Sequence, residues 1–297
     1  MFTVQRASLR LQTISASLRL QTIGKHVAVR TASSSSIMSE SKANKVPNSL
    51  SNTLDSTLKE GHDVKSFGLG TLATMANMDR YAKFLTSLHA VYDTMERAFD
   101  EFPDDAVVGR CWSSRGGVLR REGKIRKDLA QAGIAAPRSW AEEDLAFLSG
   151  ATRNYVRRIE DAKVADGKDG GGRLLGHLYC RYFADLFGGQ ALKTPTKLAL
   201  ALEPAPTMYD FEFGDGGRAE YIESLYEALN VAGEELGEGG RAAVKVEALE
   251  CFRLNKELYT EGGIYVDAWR GGVNLAKGAV FSLKPESLKG YGRRKMS

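Results

Sequence analysis

Chemistry in this chain has few residues to draw on: its 297 residues include four histidines and three cysteines. His62 falls four residues after Leu58, which follows Leu54 and Leu50 at the same spacing, so all four share one helical face. An imidazole on an apolar face is either a core residue with its hydrogen bonds met or an axial ligand to the iron of a planar apolar cofactor, and spacing alone leaves both open. The second unusual feature is Gly188-Gly189 inside a helical pattern. Each glycine costs about 1 kcal/mol against Ala in a helix interior. Either the helix ends there, or the bare backbone lies against a flat ligand and kinks beside it.

The elements that position these residues read as helices. Only 7 prolines stand among long stretches of Ala, Leu, Glu, Lys and Arg, and 43% of the chain is hydrophobic, enough for a full core. A helix over Leu50–His62 is followed by one from Asp79 to Phe99, with Tyr81, Phe84, Leu85, Leu88, Tyr92, Met95 and Phe99 on its apolar side. Further helices are expected at 117–133, 141–164, 174–193, 219–236 and 241–261, with a flexible glycine-rich connection at 166–172 that matches no phosphate-loop spacing. The residues beyond 265 read as a tail with scattered glycines and a basic end.

Residues 1–39 hold Arg6, Arg10, Arg19, Lys25 and Arg30 but no Asp or Glu, and Ala7–Ile14 is repeated at Ala16–Ile23. This Ser- and Arg-rich, acid-free composition is that of an organelle transit peptide, and 1–45 is assigned to it and a linker. Both mitochondrion and plastid fit. Without those five basic residues the net charge of +4 drops to near neutral, which removes the support for nucleic-acid binding. No apolar run of about 18 residues is present, which argues against a membrane span. Cys111, Cys180 and Cys251 lie far apart, so neither a disulfide framework nor a zinc ribbon is indicated.

The segment Leu-Leu-Gly-His-Leu-Tyr-Cys-Arg-Tyr-Phe-Ala-Asp-Leu-Phe-Gly-Gly-Gln at 174–190 resembles the distal helix of heme oxygenases. Val-Tyr-Asp-Thr-Met-Glu at 91–96 is similar to the plant-type members, and residues 154–158 and 251–255 also fall at family positions. The resemblance covers most of residues 50–262 and implies an all-α, single-domain helical bundle over 46–265, with 266–297 as a tail. It implies heme b as both cofactor and substrate, opened with dioxygen to biliverdin, ferrous iron and carbon monoxide. Electrons would come from ferredoxin or a flavin reductase. Carried over by position, Asp185 is the distal carboxylate, supported by Arg181, Tyr92, Tyr155 and Asn255. His62, within Lys-Glu-Gly-His, is the iron ligand, and Tyr179, Gly188, Gly189 and Phe252 are the other heme-contacting positions.

The chain departs from the family at its acidic edge. Asp55, Glu223 and Glu227 stand where animal enzymes place cations for the heme propionates, so carboxylate would face carboxylate unless Lys59 or Arg218 compensates. Phe187 replaces a small residue beside the glycine pair. These departures motivate a second reading, a heme-oxygenase-like binding or organelle-maintenance protein without catalysis. A third is another enzyme on the same helical fold. A di-iron protein would need Glu-x-x-His pairs, which the body lacks, and a thiaminase-like one a cysteine near a base, which no cysteine has as a sequence neighbour.

Overall fold

The computed structural model describes residues 41–61, 64–137, 139–140 and 142–282, and every regular element among them is helical. His62, residues 1–40, which hold most of the 1–45 segment expected to be a transit peptide and linker, and residues 283–297 lie outside the described residues. The principal helices are α1 (Leu50–Gly61), α2 (Val64–Thr74), α3 (Met78–Asp100), α4 (Val107–Ser113), α5 (Glu122–Gln131) and α6 (Gly150–Asp169). After them come α7 (Leu174–Leu178), α8 (Ala184–Phe187), α9 (Lys193–Leu200), α10 (Gly217–Thr260) and α11 (Ile264–Ser282). Among the described residues no helix is long and apolar enough to cross a membrane.

α3 is the central strut. Asn77 caps its start by accepting the Arg80 N–H at 2.8 Å, and its apolar side, Tyr81, Leu85, Leu88, Tyr92, Met95 and Phe99, is buried as the periodicity requires. It packs against α5 and α6. α6 begins later than the sequence suggests, at a Ser149 cap, and runs to Asp169, four residues into the stretch expected to be flexible, with Gly170–Gly172 left as a connection. There the Asp166 carboxylate accepts the backbone N–H groups of Arg173 and Leu174, both at 2.8 Å, fastening the start of α7 directly to α6. The glycines do form a connection, as composition marks them, and the buried Asp166 carboxylate held by two amides makes it a fixed one.

The segment from α7 to α9 is one rod with two irregular joints, a π-helical turn at Tyr179–Phe183 and a 3-10 turn at Gly189–Leu192. π-turns re-aim side chains within a helix and concentrate at functional sites. α10 breaks once, at Gly237, whose φ of 64° is open to glycine. The two helices expected there are therefore present, meeting at that break.

Both ends of the expected body shift. Ser41, Ala43 and Asn44 are buried, and a 3-10 turn over Ala43–Lys45 starts the compact unit before residue 46. Where a tail was read, α11 packs on α2 and α9. Two of its glycines make this possible: a Cβ on Gly271 would stand 1.8 Å from the Leu72 carbonyl oxygen, and one on Gly278 2.1 Å from that of Leu198. Scattered glycines thus mark helix contacts here, not disorder.

Candidate active site

The site is built from two polar stripes facing each other across α7–α8 and the second half of α10. On the first, His177, Arg181, Asp185 and Gly189 recur every fourth residue; on the second, Glu247, Cys251, Asn255 and Tyr259 do the same. Spacing of four keeps each set along one side of its helix. Arg181, fully buried, joins the stripes: its Nη1 donates to Asn255 Oδ1 at 2.7 Å, and its Nη2 donates to the Tyr92 hydroxyl of α3 at 2.9 Å. The guanidinium also lies over the Tyr92 ring, 4.9 Å from its centroid. Tyr92 in turn donates to Asp185 Oδ2.

These contacts set the charges. Burial raises the Asp185 carboxyl above the usual carboxylate range, with Arg181 and the Tyr92 bond opposing it. Burial works against the Arg181 cation, but the Tyr92 and Asp185 side chains more than offset it. The Asp185 carboxyl thus holds its proton more tightly than an exposed aspartate does, with the Arg181 cation linked to it through the Tyr92 hydroxyl.

Four of the expected distal residues, Asp185, Arg181, Tyr92 and Asn255, form this continuous chain. Tyr155 is separate from Asp185: its hydroxyl contacts the Cys251 sulfur at 2.8 Å, and it reaches the chain only through Cys251 and Asn255. Tyr179, expected to contact the cofactor, is buried in the core with its ring 4.7 Å from that of Phe183. Phe252 is half-buried on α10. Tyr259 went unread in the sequence although it continues the α10 stripe. It faces Arg181 and packs against Phe84 and Phe67 at centroid distances of 4.9 and 5.5 Å.

Of the glycine pair, Gly188 is exposed and Gly189 is buried beside Tyr209. A Cβ on Gly188 would meet only the Ala184 carbonyl of its own helix, at 3.3 Å, and one on Gly189 would stand 3.5 Å from Asp185 Oδ1 and 3.6 Å from the Tyr209 ring. A flat ligand against Gly188 would lie one turn along the same segment from the Asp185 carboxylate, so the donor set suits the heme face that the resemblance implies. Arg218 brings a cation alongside, donating to the Leu186 carbonyl. Phe187, instead of projecting freely, is taken up by Phe183 and Tyr226 at 5.8 and 6.5 Å. A cavity of about 630 Å³ opens beyond Tyr259, lined by Arg80, Lys83, Phe84 and Phe147, and the distal residues lie outside it.

The acidic edge has an occupant of its own. Glu223 accepts the Ala43 N–H at 2.8 Å, Asn44 donates from its side chain to Asp55, and Asn230 donates to the Ala43 carbonyl at 2.8 Å. Two of the three carboxylates that replace cations therefore hold the segment preceding α1. Glu227 is exposed.

The fold also corrects the cysteine reading. Cys251 has no base beside it in sequence, yet tertiary packing sets it against His177, whose Nε2 lies 2.8 Å from Glu247 Oε1. Cysteine, histidine and glutamate together suggest a nucleophile, but all three side chains are sealed in the core, with no more than 1% of Glu247 or Cys251 exposed. No substrate atom can reach that sulfur.

An all-helical body sets a half-buried carboxylate, a buried arginine and a buried tyrosine beside the Gly188-Gly189 pair. The heme oxygenase family model matches residues 50–261, and the chain belongs to the heme oxygenase family. Heme oxygenase 1 of Synechocystis sp. is 25% identical over 191 residues, spanning 64% of this chain and 73% of that protein. Heme oxygenase 1 of Bos taurus is 27% identical over 225 residues, 73% of this chain and 72% of its own. The solved structure of heme oxygenase from Leptospira interrogans superposes with a TM-score of 0.58 at 26% identity, covering 72% of this chain and all of that one.

Proposed function

We propose that this protein is a catalytic heme oxygenase, which opens heme b to biliverdin with release of ferrous iron and carbon monoxide, consuming dioxygen and electrons from ferredoxin or a flavin reductase. The observation that carries this reading is the unbroken chain Asp185–Tyr92–Arg181–Asn255 beside Gly188-Gly189. Buried polar groups are costly unless matched, and four matched ones from three helices suit a pocket that handles protons.

Bound heme supplies the redox-active iron and the ring carbon that is oxidised. The chain does the rest. Tyr92 holds Asp185 Oδ2, leaving Oδ1 turned toward the glycine pair, where it orients water and delivers protons. Arg181 fixes the Tyr92 hydroxyl and supplies the positive charge that keeps the acid poised. Gly188 and Gly189 let the ligand approach the backbone, and Arg218, which donates to the Leu186 carbonyl of the same segment, is assigned to a ligand carboxylate. His62 would hold the heme iron, and the acid-free N-terminal segment is assigned as an import signal for mitochondrion or plastid.

Full-length protein given hemin, a reductant and oxygen should lose its Soret band and yield biliverdin, and His62→Ala should abolish the ferric hemin spectrum with the fold intact. A hemin spectrum that persists through turnover conditions would reject catalysis; failure to bind hemin would favour the non-catalytic reading.

A further inference from the structure

Beyond the distal residues lies a second buried polar cluster, centred on the Cys251 sulfur and drawn from three directions. From α6 comes the Tyr155 hydroxyl at 2.8 Å. From one turn along α10 comes the Asn255 side-chain amide at 3.7 Å. From α7 and the π-turn come His177, whose Nδ1 has no nitrogen or oxygen partner and faces the sulfur, and Cys180, which lies 3.1 Å from the carbonyl of Ala248 one turn before Cys251. The close approach is made possible by Gly176, where a Cβ would stand 2.9 Å from both Ala248 N and Val244 O. Arg158 closes the outer side by clamping both oxygens of Glu247, the His177 partner.

Asn255 has two ends, and each is committed. Its oxygen accepts from Arg181 at 2.7 Å, and its amide nitrogen has the Cys251 sulfur as its acceptor. A side chain held at one end alone can swing about its torsions, whereas one held at both cannot. We infer that Cys251 is a positioning residue of the distal network: its sulfur anchors Asn255 and Tyr155, and through Asn255 it sets the Arg181 guanidinium that holds Tyr92 and Asp185.

The charges agree with this arrangement. Burial would push the Cys251 thiol up, but contacts with Cys180, His177 and Tyr155 reverse that and draw it below the ordinary value. Burial likewise opposes the His177 cation, which Cys251 and Glu247 restore. An electron-rich sulfur is a better acceptor for two buried donors than a neutral one.

The consequence for the hemin complex rests on the heme oxygenase reading, so the test has an arm that does not. In hemin-free protein, the side-chain amide resonances of Asn255 are compared among wild type, Cys251→Ser, Cys251→Ala and the remote control Cys111→Ala. They should move in Cys251→Ala, move less in Cys251→Ser, which keeps an acceptor, and stay fixed in Cys111→Ala. In the hemin complexes, the pH of the alkaline spectral transition should shift in Cys251→Ala by about one unit, a tenfold change in proton affinity, with partial return in Cys251→Ser. A purely structural role would lower the melting temperature and leave both readings in place, and that result overturns the inference. If wild type gives no hemin spectrum, the functional reading fails while the amide comparison still decides the role of Cys251. Should Cys251→Ala fail to fold, Cys251→Ser carries both measurements.

Discussion

Glu223 accepts the backbone N–H of Ala43 at 2.8 Å, joining the first described residues to a helix 180 positions later. With Asp55 holding Asn44 and Asn230 holding the Ala43 carbonyl, the acids that would repel heme propionates serve as anchors for a strap. A chain beginning at residue 46 should therefore be less stable than one beginning at Ser41, by about 1–3 kcal/mol for the buried acceptors left unmatched. Urea unfolding midpoints of the two chains measure this. Equal midpoints would mean that the strap contributes nothing.

The glycine pair predicts separate effects on stability and binding. Gly189→Ala places its methyl at ordinary contact distance and Gly188→Ala places one 3.3 Å from the Ala184 carbonyl, so both should keep stability within about 1 kcal/mol of wild type. Hemin affinity should fall at least about tenfold, equivalent to about 1.4 kcal/mol. Thermal melts and hemin titration of the same samples separate the two, and unchanged affinity would place the ligand elsewhere.

Asp185→Asn keeps the Tyr92 contact but loses the titratable proton. Hemin should still bind, while biliverdin formation drops by about 10²–10⁴, the usual worth of a positioned acid or base. A variant that turns over hemin at the wild-type rate would remove Asp185 from the reaction.

Glu96 gives the folded protein a pH dependence of definite sign. Burial lifts its carboxyl to about 7, although it accepts the Arg121 N–H at 2.6 Å and the Glu122 N–H at 3.1 Å. The unfolded chain loses that proton near the ordinary 4.5, so in between the folded state binds more protons. Stability should thus fall as pH rises from about 4.5 to 7 and level off above. Glu96→Gln, which keeps an acceptor for both amides, should flatten that slope and gain up to about 3 kcal/mol at pH 8. Denaturant titrations at pH 5 and 8 test the sign.

α11 should come loose when its closest contact is blocked. Gly271→Val has no space beside the Leu72 carbonyl and should cost about 1–3 kcal/mol by overpacking, with proteolysis appearing between α10 and α11. Protection equal to that of the native chain would show that the helix adapts.

By itself, the sequence determined the helices and named the residues expected at the site. Local hydrophobic period placed the buried side of α3, and short-range spacing carried His177, Arg181, Asp185 and Gly189 onto one stripe. A segment match of that length fixes residue types because the chemistry demands them at set places along one helix. Its errors were also local. Residues 166–169 read as connection and α11 as tail, since nothing within a few residues reveals that Asp166 caps the next helix or that Gly271 meets a carbonyl from α2.

Only the tertiary structure decided what those residues do to one another. It separated Tyr155 from Asp185, gave Cys251 the base that its sequence neighbours lack, and turned Asp55 and Glu223 from a defect at the ligand edge into anchors for Ser41–Lys45. The physical reason is common to all three. Whether a buried charge or sulfur repels, reacts or merely holds depends on partners within a few ångströms, and here those partners come from helices tens of residues away or more.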